Sequence, residues 1–194
     1  VHPLLVKLAL WKNIVDKPNA RRLNHVPVPV LGGVGVFLGL IVALYTIAAM
    51  MGIQLPYIYT VLLVLMLGVG FIDDVRDLSP YTKFSVQILA VLLLYFSCDM
   101  RIDNLHGIFG LYEIPMYISL PLTLIVCVGL INAINLIDGI DGLSSGYSLM
   151  ASLLFGAWAY MSGDKINLLI SCSLIGALVP FFIYNVFGKK CKMF

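Results

Sequence analysis

Charged side chains divide this chain into long apolar tracts. No Asp, Glu, Lys or Arg occurs between Arg22 and Asp73, Lys83 and Asp99, Glu113 and Asp138, Asp141 and Asp164, or Lys165 and Lys189. The first tract is long enough for two membrane helices, split at the turn-like stretch Gly52 to Pro56. The pattern therefore predicts six spans, near 30–51, 56–72, 80–98, 114–134, 143–161 and 166–187. Each fits the ~17–25 residues that an α-helix needs to cross a bilayer. The third is short if it begins at Phe84, but Ser79 and Pro80 read as an N-cap and first helical residue and lengthen it by a turn. Residues 1–15 read as the inner end of one more helix. The expected fold is all-α: a polytopic transmembrane helix bundle of about six spans plus a partial N-terminal helix. With no repeat, low-complexity tract or linker, residues 1–194 are taken as one domain.

Composition agrees with that solvent. The chain is 61% hydrophobic and 11% charged, with a mean hydropathy of +1.01. Soluble domains carry charge at about 25% of positions, so a soluble globular protein is excluded. The chain opens with Val1 and lacks the layout of a signal peptide, so an upstream part is expected to be missing. Cys98, Cys127, Cys172 and Cys191 are scattered without Cys-x-x-Cys spacing, which points to small packing residues rather than a metal site or a disulfide framework.

The cations orient the spans. With six alternating crossings, Lys7, Lys12, Lys17, Arg21, Arg22, Arg76, Lys83, Lys189, Lys190 and Lys192 fall on one side, and only Arg101 and Lys165 on the other. An excess of Lys and Arg marks the cytoplasmic face. That assignment also puts Asp16 to His25, Asp73 to Lys83 and Asn132 to Gly142 on the cytoplasmic side, a coincidence that argues for one shared site.

The third of these stretches is the richest. Asn132, Asn135, Asp138 and Asp141 follow one another at intervals of three, which on a helix keeps neighbours within reach. Gly139 and Gly142 let the backbone turn sharply. Asp-Gly turns by themselves would explain the glycines, but not two amides one and two turns earlier in a segment fit for lipid. In the second stretch, Asp73 and Asp74 are adjacent carboxylates at the end of a membrane helix. Such a pair is costly unless it is hydrated or holds a cation. Mg²⁺ suits it, because this ion takes oxygen ligands and combines one or two carboxylates with substrate phosphates and water. Lys83, in the first turn of the next helix, is placed to meet a phosphate. Arg76 and Asp77 read as solvated loop residues. The first stretch offers Lys17, Arg21, Arg22 and His25 before a proline-stiffened entry to Gly32 and Gly33, a segment able to hold a lipid or nucleotide phosphate. Basic juxtamembrane loops are common for topological reasons alone.

Taken together, the three stretches resemble the polyprenyl-phosphate N-acetylhexosamine-1-phosphate transferase family. The matching residues are Asp16, Pro18, Arg21, Arg22, His25, Pro29, Gly32 and Gly33, then Asp73, Asp74, Leu78, Ser79 and Lys83, then Asn132, Asn135, Asp138, Gly139, Asp141, Gly142 and Leu143. The resemblance implies transfer of a sugar-1-phosphate, N-acetylglucosamine-1-phosphate first among them, from a UDP-sugar to undecaprenyl phosphate, with Mg²⁺ as cofactor and UMP released. It implies a multi-pass protein of the bacterial cytoplasmic membrane whose site faces the cytoplasm. Its partners would be UDP-sugar, undecaprenyl phosphate and membrane lipid, without nucleic acid; a homodimer stays open. It implies Asp73, Asp74, Asp138 and Asp141 as catalytic residues, Lys83, Asn135, Asn185, Arg21, Arg22 and His25 as substrate-binding residues, and Asp73, Asp74 and Asn132 around the metal. The muramoyl-pentapeptide branch of the family is an alternative. So, from another class, is a secondary transporter, which would place its acidic residues near mid-span between broken helices. The end of the chain, from Phe182 to Phe194, resembles the family segment leading into a Met-Gly-Asp-x-Gly-Ser motif, so the chain is expected to be an internal fragment, inactive by itself.

The charge count carries a direct test. Single cysteines at Arg76 and Ser144 are expected to resist a membrane-impermeant thiol reagent in intact cells and to react once the membrane is opened. Labelling of either from outside would overturn the topology.

Overall fold

The computed structural model describes residues 15–16, 28–29, 32–76, 78–138 and 140–188, with backbone only for the first two pairs and for Asp74, Val75 and Phe109. The expected helix over residues 1–15 lies outside the described residues, apart from Val15. Two short strands, β1 (Val15–Asp16) and β2 (Val28–Pro29), pair antiparallel, with Val15 opposite Pro29 and Asp16 opposite Val28. Six long helices follow: α1 (Gly32–Met51), α2 (Tyr57–Arg76), α3 (Pro80–Ser97), α4 (Met116–Ile137), α5 (Leu143–Ser162) and α6 (Lys165–Phe187). They match the six expected spans. Four of them, α1, α3, α4 and α6, are long and apolar enough to cross a membrane. In α2 the apolar part runs over Tyr57–Asp73, and α5 carries Ser144, Ser145, Ser148 and Ser152 among its apolar residues.

Two helices run further than the apolar tracts suggest. α2 continues through both aspartates to Arg76, and α4 continues through Asn135 to Ile137. Hydropathy marks where hydrocarbon ends, but a helix keeps its backbone bonds beyond that level and stops only where turn chemistry intervenes. At the start of α3, Ser79 is the N-cap: its Oγ accepts the Thr82 N–H at 3.2 Å, with Pro80 in the first turn. Asp164 caps α6, its carboxylate accepting the N–H groups of Ile166 and Asn167. The bonds from the Asn167 backbone and side chain hold the Asp164 carboxyl below its usual range.

The described residues pack as two compact units. In the first, α6 is the centre, with α1 and α5 both against it. Leu44 and Ala48 of α1 bury themselves with Leu169 of α6, flanked by Ile47, Ile53, Leu55 and Ile170. Small residues make the close approaches. A Cβ built on Gly39 would stand 3.4 Å from the Ala177 Cβ, and one on Gly156 would stand 3.2 Å from the Ser171 Cβ. The second unit joins α2, α3 and α4. Here Tyr95 Oη donates to Ser119 Oγ at 3.2 Å, and Thr123 Oγ1 accepts the Ile102 N–H at 3.0 Å. Between α3 and α4, Asn104 and Glu113 form an antiparallel bridge, and Arg101 pairs with Asp99 and Asp103.

Burial is inverted relative to a soluble protein. Ser119, Thr123, Ser145, Ser152, Ser171 and Ser173 are buried, while Trp158, Phe155, Leu154 and Ile125 are exposed. Small and hydroxyl residues inside, with large apolar ones outside, is the arrangement of helices that meet one another in lipid. The protein is an integral membrane protein with an all-α fold.

The α5–α6 contact yields a stability test. Gly156→Leu is expected to destabilise by about 1–3 kcal/mol through overpacking against Ser171, read as a lower Tm in detergent. Gly176→Ala, where nothing lies within 4 Å of the added carbon, is the control and is expected to leave Tm unchanged or slightly raised. Equal Tm values for the two variants would show that α5 does not need the close approach.

Candidate functional site

Asp73 lies in the last turn of α2, three residues before its end, and is half-buried. Its Oδ1 accepts the Leu78 N–H at 3.0 Å and meets Lys83 Nζ at 2.5 Å. The carboxylate therefore fastens the connection between α2 and α3 and holds the lysine of the first turn of α3. No described partner engages Oδ2. Asp74 is helical beside it, and Arg76 ends the helix in exposed position. A carboxylate in a final turn faces an unfavourable helix dipole, which the Lys83 charge offsets.

One turn after Lys83, on the same face of α3, stands Gln87. It is 5% exposed and accepts from Asn132 Nδ2 at 2.7 Å. Two successive positions of one α3 face thus meet the end of α2 and the last part of α4. Gln87 belongs to none of the three motifs. The signal was present, since a glutamine inside an apolar span is costly unless paired. Asn135 follows one turn later on α4 and is exposed.

The turn after α4 belongs to the other unit. Asp138 and Asp141 flank it, both exposed, and Ser144 Oγ donates to Asp138 Oδ1. The regular spacing of the four polar residues therefore does not continue on one helix: Asn132 and Asn135 are helical, and Asp138 and Asp141 sit in the turn. Gly142, with φ of 75°, starts α5. Its N–H goes to Asn185 Oδ1 at 2.5 Å, and Asn185 is 5% exposed on α6. A Cβ on Gly142 would strike the Val186 side chain, so both the backbone conformation and the space demand glycine there. Arg21, Arg22 and His25 lie outside the described residues.

Asp73 Oδ1 is engaged by the Leu78 N–H and the Lys83 ammonium, which leaves Oδ2, a carboxylate oxygen of the kind that Mg²⁺ takes. Among the described residues, no three or more His, Cys, Asp or Glu side chains come together. A cation here would draw on the carboxylates of Asp73 and Asp74 and fill its shell with amide, phosphate and water oxygens, which is the Mg²⁺ pattern rather than that of a closed protein cage. In kind, the residues fit.

These features define the class: a membrane-embedded helix protein with acidic and amide chemistry at the ends of its helices. Residues 55–194 match the family described as Glycosyl transferase family 4, and the chain belongs to that family. It is similar to a Bacillus subtilis (strain 168) protein named probable undecaprenyl-phosphate N-acetylglucosaminyl 1-phosphate transferase, 29% identical over 199 residues, covering 100% of this chain and 54% of that protein. It is also similar to the undecaprenyl-phosphate alpha-N-acetylglucosaminyl 1-phosphate transferases of Haemophilus influenzae, 32% identical over 191 residues with 96% and 53% covered, and of Yersinia pestis, 30% identical over 193 residues with 97% and 52% covered. The chain spans about half the length of the curated relatives it matches. The resemblance drawn from the three motifs is borne out at the level of the family.

Asn185 provides the test of this local architecture. Asn185→Ala leaves the Gly142 N–H without its acceptor and is expected to cost about 1–3 kcal/mol, with faster amide exchange at Gly142. Asn185→Asp keeps an acceptor oxygen and is expected to retain most of the protection. Unchanged exchange in the alanine variant would show that the tether does not order the turn.

Proposed function

We propose that the protein, at its natural length, transfers N-acetylglucosamine-1-phosphate from a UDP-sugar to undecaprenyl phosphate, giving a lipid diphosphate sugar and UMP. The observation that carries this reading is the Asp73–Lys83 pair, a carboxylate with one oxygen unengaged beside a cation, set at the end of an apolar helix. The names of the relatives supply the substrate class. Their enzymes act on undecaprenyl phosphate and N-acetylglucosaminyl 1-phosphate, and this chain shares their family.

Phosphoryl transfer asks a protein chiefly for positioning and charge neutralisation. An oxygen of the acceptor phosphate attacks the phosphorus next to the sugar, and the bond from that phosphorus to the UMP oxygen breaks. A phosphate monoester, with a second pKa near ~6, is mostly dianionic at neutral pH and needs little help from a base. Asp73 and Asp74 would therefore orient the acceptor and hold a cation, with Asn132 lending it an amide oxygen. Mg²⁺, when bound there, supplies charge neutralisation at the phosphate oxygens. Lys83 gives its charge to an incoming phosphate, and Leu78 N–H keeps Asp73 in place as the lysine changes partner. Asp138 and Asp141, in the turn tethered by Asn185, offer polar groups to the nucleotide or its phosphates, and Asn135 is a further substrate-binding residue. Arg21, Arg22 and His25 add cationic contacts for phosphate. The reading places these residues at the cytoplasmic side of a bacterial membrane, where UDP-sugars are made.

In membranes carrying the natural-length protein, UMP release from UDP-N-acetylglucosamine is expected to need both undecaprenyl phosphate and magnesium. Asp73→Asn keeps an acceptor for Leu78 but loses the Lys83 ion pair, and turnover is expected to fall on the order of 10² or more. Expression should survive, because an amide is cheaper than a carboxylate at a membrane edge. Near-normal turnover in this variant would sink the assignment of Asp73.

A further inference from the structure

We propose that Gln87 is a positioning residue that acts through Asn132, and that its role is to present the Asn132 carbonyl oxygen to a divalent cation. The hydrogen-bond chemistry assigns the atoms. The Val128 carbonyl can only accept, so the Asn132 atom that faces it at 2.8 Å is the NH₂ group. The same Nδ2 meets Gln87 at 2.7 Å, so Gln87 turns its oxygen toward it. Both amide protons of Asn132 are then spent, and the side chain cannot rotate without losing one of two bonds. Its Oδ1 accepts no hydrogen bond among the described residues, although the residue as a whole is exposed.

Burial separates this role from a direct one. Gln87 is nearly enclosed at 5% exposure and spends its oxygen on Asn132, whereas Asn132 is the exposed member of the pair. The outer residue offers a ligand atom and the inner one aims it. The placement of Gln87 supplies the link to a cation. Lys83 lies four residues before it on α3 and holds Asp73, so one helix face fixes both a carboxylate from α2 and an amide oxygen from α4. An amide oxygen combined with carboxylates is a donor set for a hard cation, and partners that orient ligands are worth roughly 10–100-fold in metal affinity.

This inference rests on the cation-assisted reading above, and the test separates the two. The natural-length protein would be purified in detergent and titrated with Mn²⁺ by electron paramagnetic resonance, without substrate, alongside the UMP assay. Gln87→Leu is expected to weaken Mn²⁺ binding about 10–100-fold. Gln87→Glu, which keeps an oxygen acceptor for Asn132, is expected to recover most of that loss. The double variant Gln87→Leu with Asn132→Ala should bind no more weakly than Asn132→Ala alone, because residues that act as one unit are not additive. Independent, multiplying losses would overturn the inference, and so would a Gln87→Glu variant as weak as Gln87→Leu. A native protein that binds no Mn²⁺ refutes it outright. If Mn²⁺ binds and depends on Gln87 as stated but no UMP is released, the inference stands and the proposed reaction fails.

Discussion

Hydrocarbon offers no hydrogen-bond partners, and this constraint shapes every level of the structure. It requires helices, because only they satisfy the backbone within a single segment. It also favours polar side chains inside the protein that find one another, although the buried hydroxyls of Ser145 and Ser173 have no such partner among the described residues. Ser119, Thr123 and Tyr95 find partners between α3 and α4, and Asn132 does so with Gln87 and the Val128 carbonyl. These bonds are individually modest, because the separated helices would also find partners in the membrane. Their contribution is to fix which faces meet.

The same constraint limits where a carboxylate can sit. Carboxylates are tolerated where helices emerge toward water, and Asp73 sits there with a lysine to offset both its own charge and the helix dipole. A site at a helix end, rather than at mid-span, suits a reaction between a water-soluble nucleotide sugar and a lipid phosphate, since both phosphates can reach that level. It suits a transporter less, since a coupling-ion site lies near the midplane.

Each unit solves the problem of a precise polar end in its own way. In the unit of α2, α3 and α4, two side chains one turn apart on α3 hold an aspartate and an asparagine from its neighbours. In the other unit, a buried asparagine of α6 takes a backbone N–H at the start of α5, and a glycine at positive φ makes room against Val186. Rigid helices carry the orienting residues in both cases, while the groups they orient lie at helix ends or in turns. Such an arrangement keeps polar atoms accessible without leaving them loose.

The apolar tracts between charges were sufficient to place six helices, because the length of a bilayer helix is set by hydrocarbon thickness and any charge within it is penalised. Ser79 and Pro80 likewise announced the start of α3, since capping depends on a few adjacent residues. Asp73, Lys83, Asn132 and Asp138 stood out as polar residues at the ends of apolar runs. What remained hidden was pairing. Gln87 is an unremarked glutamine until α4 brings Asn132 to 2.7 Å, 45 positions away in the chain, and Asn185, marked by the family resemblance alone, has no visible partner until α6 brings it to Gly142. The helices also continue past the apolar spans, through Asp73 and Asn135, because hydropathy reports the solvent and not the backbone bonds that extend beyond it. Local spacing thus determined the elements and the candidate chemistry. Only packing decided which polar atom each residue spends on the fold and which it leaves unengaged, because that division depends on neighbours supplied by other helices.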